Sequence, residues 1–282
     1  MKTRLLRSLP GLLFIPALAL AQQQFATPEQ AASALVDAVS QQNEAALNAI
    51  LTESWRQYLP PEGADPEAVA RFLRDWKTSH HIEQQQNVAW LNVGKQNWQL
   101  PIPLVKTADG WRFDMQGAAD EILTRTLGRN ELSAIQALHA YVQAQREFYA
   151  LNHFYAQKLI SSEGQKDGLY WSAGAGEAPS PLGPAFSPGI PGAGYHGYRF
   201  RIITAHADEG RSPWLHEGKL TGGYALIAWP VAYGRTGVTS FMVDDQERVW
   251  QAWLGEETAR KAQAITSFSP VAPWQQIKET GH

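Results

Sequence analysis

Lys166-Asp167-Gly168-Leu169-Tyr170-Trp171, Tyr195-His196-Gly197-Tyr198-Arg199-Phe200-Arg201-Ile202-Ile203, Thr221-Gly222-Gly223-Tyr224-Ala225-Leu226-Ile227-Ala228-Trp229-Pro230 and Gly237-Val238-Thr239-Ser240-Phe241-Met242-Val243-Asp244-Asp245 follow one another over 80 residues. Each segment is short, aromatic and β-branched, and each is closed by turn residues, the pattern of antiparallel strands. In Tyr198-Phe200-Ile202 the apolar side chains share one face, and Arg199 and Arg201 take the other. A last strand runs over Val249–Leu254 after the turn Asp244-Asp245-Gln246-Glu247, and a helix over Glu256–Ala264 leads into a Pro270…Trp274 tail that folds back as a cover. The interval of about 173–196 is rich in Gly, Pro and Ala and reads as a long irregular flap.

Upstream of this meander, Asn130 is placed to cap a long helix, with Glu131 suited to its positive end. Leu132, Ile135, Leu138, Val142 and Tyr149 form its apolar stripe, and Gln136, Gln143, Gln145, Arg146 and Glu147 occupy the rest. Ser161-Ser162-Glu163-Gly164 is its expected end. The first half has a different texture. Thr27-Pro28-Glu29-Gln30 is a helix start with a capping Thr and Pro at the first position, and Asn43 and Asp65-Pro66 repeat the device. Val69, Phe72, Leu73 and Trp76 recur at helical spacing, with His80-His81 at the end of that helix, where the dipole favours a cation. From there the period changes to two. Ala89, Leu91 and Val93 alternate, as do Trp98, Leu100, Ile102 and Leu104, and Ala108-Asp109-Gly110 turns into Trp111 and Phe113. Pro101 and Pro103 demote the middle segment to an edge or bulged strand.

The fold class expected is therefore α+β: N-terminal helices on a small antiparallel sheet, then a long helix leading into an antiparallel meander. The domain division expected is residues 1–21 as a signal, 22–128 as a cone- or cystatin-like unit, and 129–282 as the meander domain with its flap.

The signal assignment comes from Lys2, Arg4 and Arg7, the apolar run Leu12–Leu20, and the small-x-small site Ala19-Leu20-Ala21 before Gln22. Cleavage after Ala21 would leave 261 residues and move the net charge from −3 to −6, which predicts a periplasmic protein without a transmembrane anchor in its mature form. The acidic balance argues against nucleic acid as a partner, and an exported chain with no cysteine must gain its stability from core burial.

Several spaced motifs carry a resemblance. They are Asn152-His153-Phe154-Tyr155-Ala156-Gln157-Lys158-Leu159, Lys166–Trp171, Ser180-Pro181-Leu182-Gly183-Pro184, Tyr195-His196-Gly197-Tyr198 and Thr221–Leu226. The chain resembles the bacterial exported domain-of-unknown-function 2950 family over nearly all of its mature length. The resemblance implies an envelope location, brings no established activity, and implies a frequent companion, the exported domain-of-unknown-function 3300 family. In shape alone, a long helix followed by a meander ending Gly-x-x-Ser-Phe-x-Val-Asp is similar to the globular half of type IV pilins and pseudopilins. The apolar N-terminal helix with which pilins polymerise has no counterpart here.

Motifs that carry chemistry are missing. The sequence holds no Gly-x-Ser-x-Gly elbow, His-Glu-x-x-His helix, phosphate-binding loop or EF-hand loop, and no thiol. His196, His206 and His216 could converge on a metal, but no close-spaced pair supports this, and no metal, cofactor or catalytic residue is assigned. What stands out is 11 tryptophans. Trp171, Trp214 and Trp229 flank the flap or strand ends, where an indole can stack on a sugar or grip a peptide. With Tyr195, His196, Arg199 and Arg201 they make the expected binding set. The expected function is a non-enzymatic accessory or scaffold for an envelope protein or cell-wall glycan. The alternatives are an envelope hydrolase with its site under the flap, and a small-molecule carrier using an apolar pocket behind Trp90 and Trp98.

Overall fold

The computed structural model describes residues 22–59, 63–174, 176–183, 194–208 and 213–278. The expected signal at 1–21 and residues 184–193 of the expected flap lie outside the described residues. Helices and antiparallel sheets make an α+β fold. The chain divides into two compact units, residues up to Gln57 together with Pro66–Ala118, and Tyr58–Asp65 together with the chain from Ala119 onward.

The first unit opens with α1 (Pro28–Ser40) and α2 (Glu44–Leu51). Thr27 Oγ1 accepts the Gln30 N–H at 3.3 Å and Asn43 Oδ1 the Ala46 N–H at 3.1 Å, so both expected caps form. A 3-10 helix (Glu53–Tyr58) and α3 (Pro66–Thr78) follow. The sheet comprises β1 (His80–Gln85), β2 (Val88–Val93), β3 (Trp98–Gln99), β4 (Leu104–Thr107) and β5 (Gly110–Phe113), in the order β1-β2-β4-β5 with β3 also on β2. Pro101 and Pro103 lie between β3 and β4, where the missing N–H groups break the ladder. Ala31, Ala32 and Leu35 of α1 are buried, as are Leu91, Leu104, Trp111 and Phe113 of the sheet. No α3 residue is fully buried, although its apolar stripe is well formed. His80 and His81 open β1 and do not finish α3. His80 nonetheless serves the helix end, its Nδ1 2.9 Å from the Trp76 carbonyl.

The second unit is built on α4 (Met115–Asn152), a helix of 38 residues. It begins well before Asn130, which caps nothing. Gly117 and Gly128 weaken the local helical signal there. The Asn130 side chain instead donates to the Thr236 carbonyl at 3.0 Å, and Glu131 Oε1 accepts the N–H groups of Val238 and Thr239 at 2.9 and 3.0 Å. The helix also stops earlier than Ser161–Gly164, at His153, whose φ of 62° ends it in the left-handed region. Its buried side is rotated from the expected stripe. Leu132 is 64% exposed, whereas Ala134, Ala137, Leu138, Tyr141, Val142, Gln145 and Phe148 are buried.

The remaining strands are β6 (Tyr198–Ile203), β7 (Leu215–His216), β8 (Lys219–Leu220), β9 (Ala225–Pro230), β10 (Ser240–Asp244), β11 (Val249–Ala252) and β12 (Gln275–Gln276), with α5 (Thr258–Ala264) before the last. The main sheet has the order β6-β9-β10-β11-β12, every pair antiparallel, and β7-β8 forms a hairpin excursion between β6 and β9. Every residue of β9 is buried, which requires cover on both faces of the sheet. Ala134, Leu138, Tyr141, Val142, Ala144 and Phe148 of α4, together with Ala262, Phe268 and Trp274, belong to one core cluster with β9 and supply that cover.

Candidate functional site

A cleft among the described residues of the second unit is built by the Lys166–Trp171 segment. After α4 the chain passes Tyr155 and reaches Ile160, turns at Ser162–Gln165, and comes back alongside itself. The Leu169 N–H donates to the Lys158 carbonyl (3.1 Å), Tyr170 N–H to the Leu159 carbonyl (2.8 Å), and Ser161 N–H to the Tyr170 carbonyl (2.8 Å). Two features of the sequence allow this close pairing. A Cβ at Gly168 would lie 2.8 Å from both the Ile160 carbonyl carbon and the Ser161 nitrogen, a distance no side chain tolerates. Leu169, fully buried, anchors the returning strand in the core.

Asp167 clasps the turn. Its carboxylate accepts from Lys158 Nζ at 2.5 Å, the Ser162 N–H at 2.8 Å and the Ser162 hydroxyl at 3.1 Å. These donors, Lys158 first, hold its pKa down at about 2 against an ordinary 3.8. A carboxylate whose folded pKa is depressed contributes its full effect above the ordinary value and loses it as pH falls through the folded one. The clasp is therefore expected to stay closed at pH 4. A carboxyl-carbon NMR titration should place the Asp167 midpoint near 2, and a midpoint near 3.8 would show that the clasp does not form.

With the turn closed, a cleft of about 470 Å³ opens between residues 160–166 on one side and Tyr170, Trp171, Ser172 and Glu177 on the other. Trp171 forms one side. Its Nε1–H reaches toward the Ala178 carbonyl at 3.4 Å, and Lys166 Nζ lies 5.6 Å from the indole centroid and 3.5 Å from a Glu177 oxygen. Ser161, Ser162, Gln165 and Ser172 add hydroxyl and amide groups to the lining. The cleft offers two aromatic rings (Trp171 and Tyr170), the Lys166 cation, the Glu163 and Glu177 carboxylates and several neutral hydrogen-bonding groups. That combination suits a polyhydroxylated or peptide-like ligand, and its size falls within the usual range for small-molecule sites. Its described lining contains no histidine.

The seven expected binding residues do not meet in one place. Trp171 stands in this cleft without the other six. Tyr195 and His196 are at a hairpin turn, where the Tyr195 and Tyr198 backbones exchange two hydrogen bonds of 2.8 and 2.9 Å. His196 (φ 46°) and Gly197 (φ 73°) supply the two left-handed residues of a tight primed turn. Arg199 is exposed beside it. The others point inward. Arg201 donates to the Ala262 and Ile265 carbonyls at the C-terminal end of α5, a helix-capping role that needs no anion. Trp214 and Trp229 are each 5% exposed, and the Trp214 ring packs among His206 and Phe268. Among the described residues no group of three His, Cys, Asp or Glu side chains is arranged to hold a metal, so His196, His206 and His216 do not converge.

The protein family described as protein of unknown function (DUF2950) matches residues 22–277. The chain belongs to that family. No curated protein and no solved structure matches it.

In this DUF2950 protein, segments carrying the resemblance also meet at a second place, which periodicity alone could not find. Tyr155 pairs its N–H with the Leu220 carbonyl at 2.7 Å, and its ring lies 4.6 Å from both Tyr149 and Tyr224. Tyr224 continues the series to Tyr141 at 5.5 Å. Arg146 Nη1 and His139 Nδ1 approach the two carboxylate oxygens of Glu247 at 3.1 and 3.2 Å. Burial raises the Tyr155 and Tyr224 pKa values, and the nearby Asp245 carboxylate adds to both shifts. The tyrosine rings and the Glu247 contacts form a packing junction between α4 and the segments after it.

Proposed function

We propose that the protein is exported to the periplasm and works in the cell envelope as a non-enzymatic accessory that holds a cell-wall glycan in the Trp171 cleft. The observation that carries this reading is the cleft itself, with one indole and several neutral hydrogen-bonding groups around about 470 Å³. A sugar ring stacks its C–H face on an indole while its hydroxyls bond to serines, amides and carboxylates. Export is supported by the Lys2–Ala21 sequence pattern. No helix among the described residues is long and apolar enough to cross a membrane. The pilin-like reading of the second unit rests on a long helix that shares its core with an antiparallel meander. A protein partner, for which an exported member of the 3300 family is the first to test, is the other form of the same accessory role.

Soluble cell-wall oligosaccharides should bind the purified protein in calorimetry, and Trp171→Ala should weaken them tenfold or more, about 1.4 kcal/mol. Equal binding by the variant would remove the cleft from the proposal. Release of new reducing ends during the titration would turn the reading toward the hydrolase. Export has its own check: N-terminal sequencing of the envelope-fraction protein should begin at Gln22.

A further inference from the structure

The first unit carries a smaller cleft, of about 210 Å³, where α1 and α3 meet the edge strand β1. Its position is not behind Trp90 and Trp98. Trp98 is 46% exposed and packs edge-on against Phe72. The floor is apolar, made by Ala32, Ile82 and Leu91. His80 and Ile82 are two apart on β1, and Leu91 is the register partner of Ile82, so all three share one face of the sheet. Glu29 and Ser33 come from α1 at a spacing of four, which puts both on one side of that helix.

Glu29, Ser33 and His80 supply acceptors on this rim, beside Trp76 and His81. His80 Nδ1 lies 2.9 Å from the Trp76 carbonyl, and a carbonyl can only accept, so Nδ1 carries the hydrogen. In the neutral imidazole, Nε2 is then left with its lone pair. The ring is fixed in this orientation by stacking on the Trp76 indole, 3.6 Å between centroids and 11° between planes. Glu29 is a carboxylate, which accepts only, and it takes part in none of the hydrogen bonds or ion pairs formed by the described residues. Apolar ligand atoms would be drawn to the floor, and the rim would select a group that donates.

The geometry points to a binding site for a small organic cation, a primary ammonium group on a short apolar body, held between Glu29 and His80. The ammonium would donate to the Glu29 carboxylate and to His80 Nε2, with the Ser33 hydroxyl as a third acceptor. The body would cover Ile82 and Leu91. A bare metal is the wrong occupant, because no three metal-ligating side chains among the described residues are suitably arranged. The volume limits the ligand to a few ring or chain atoms beyond the amine.

Phenethylamine and N-acetylphenethylamine are the test pair, since acetylation removes the charge and leaves the apolar body. Titration into the full-length protein, followed by two-dimensional NMR, should show shifts at His80, Ile82 and Leu91 with phenethylamine. The acetylated compound should bind at least tenfold more weakly. Glu29→Gln should reduce phenethylamine binding by a similar factor. Glu29 is exposed, so this variant should keep the wild-type spectrum elsewhere. Equal binding of the two compounds would overturn the ammonium assignment. Unchanged affinity in Glu29→Gln, or no shift at these residues at millimolar phenethylamine, would overturn the site.

Discussion

Replacement of Gln145 by leucine is expected to lower the stability of the second unit by about 3 to 5 kcal/mol, a large effect for a near-isosteric change on a helix. Gln145 is fully buried on α4. Its Oε1 accepts the Ala156 N–H at 2.8 Å, while its Nε2 donates to the Ala156 carbonyl at 2.8 Å and to the Tyr141 hydroxyl at 2.9 Å. One side-chain amide therefore satisfies both backbone groups of a residue that is itself buried, just past the end of the helix. Leucine fills the volume and orphans both groups, each costing about 1 to 3 kcal/mol when water cannot reach it. Urea unfolding should show a lower midpoint with an unchanged slope. A loss below about 1 kcal/mol would mean that water reaches Ala156. The same change should disturb near-ultraviolet dichroism, because Ala156 follows Tyr155 and its stacked neighbours.

The second large effect is expected at Gly237. A Cβ there would lie 2.1 Å from the Tyr198 hydroxyl oxygen and 2.7 Å from its ring carbon Cζ. Tyr198 cannot yield easily. It is fully buried, and its hydroxyl donates to the Thr239 carbonyl at 2.8 Å. Gly237→Ala should destabilise the second unit by about 3 kcal/mol through overpacking. Gly237→Ala combined with Tyr198→Phe should recover part of that loss, because the second change removes the atom in closest conflict. The non-additivity of the pair is the decisive measurement. If the two effects simply add, the clash is not the cause.

Much of the architecture can be read along the chain because it is decided locally. Thr27 and Asn43 cap helices because their side-chain oxygens reach N–H groups three residues on. Period-two alternation places Leu91, Trp111 and Phe113 on the inner face of a sheet. The primed turn at His196-Gly197 follows from two positions that must take positive φ. Trp171 could be singled out too, because it stands at the edge of the Gly/Pro-rich flap, where an indole is open to a ligand.

What periodicity cannot supply is the identity of the opposite surface. Tyrosine, glutamine and alanine read ambiguously, so the pattern favours a stripe through Leu132, Ile135, Leu138, Val142 and Tyr149 of α4 and leaves Gln145 on the polar side. The structure turns that helix because Ala134 and Ala137 permit close approach and because Gln145 meets two unpaired backbone groups. Trp214, Trp229 and Arg201 show the same limit. Beside a turn or on an outer strand face they look available, but α5 and the C-terminal segment lie outside β9 in the sequence and are folded against the core only in three dimensions.

By itself, then, the sequence determined the class of fold, the caps at Thr27 and Asn43, the turns and the importance of the Lys166–Trp171 segment. All of these depend on interactions between residues close in the chain. The tertiary structure alone decided which aromatic rings are buried, and which acceptors surround the Glu29 cleft. Those properties belong to pairs of surfaces far apart in sequence, and no local pattern encodes them.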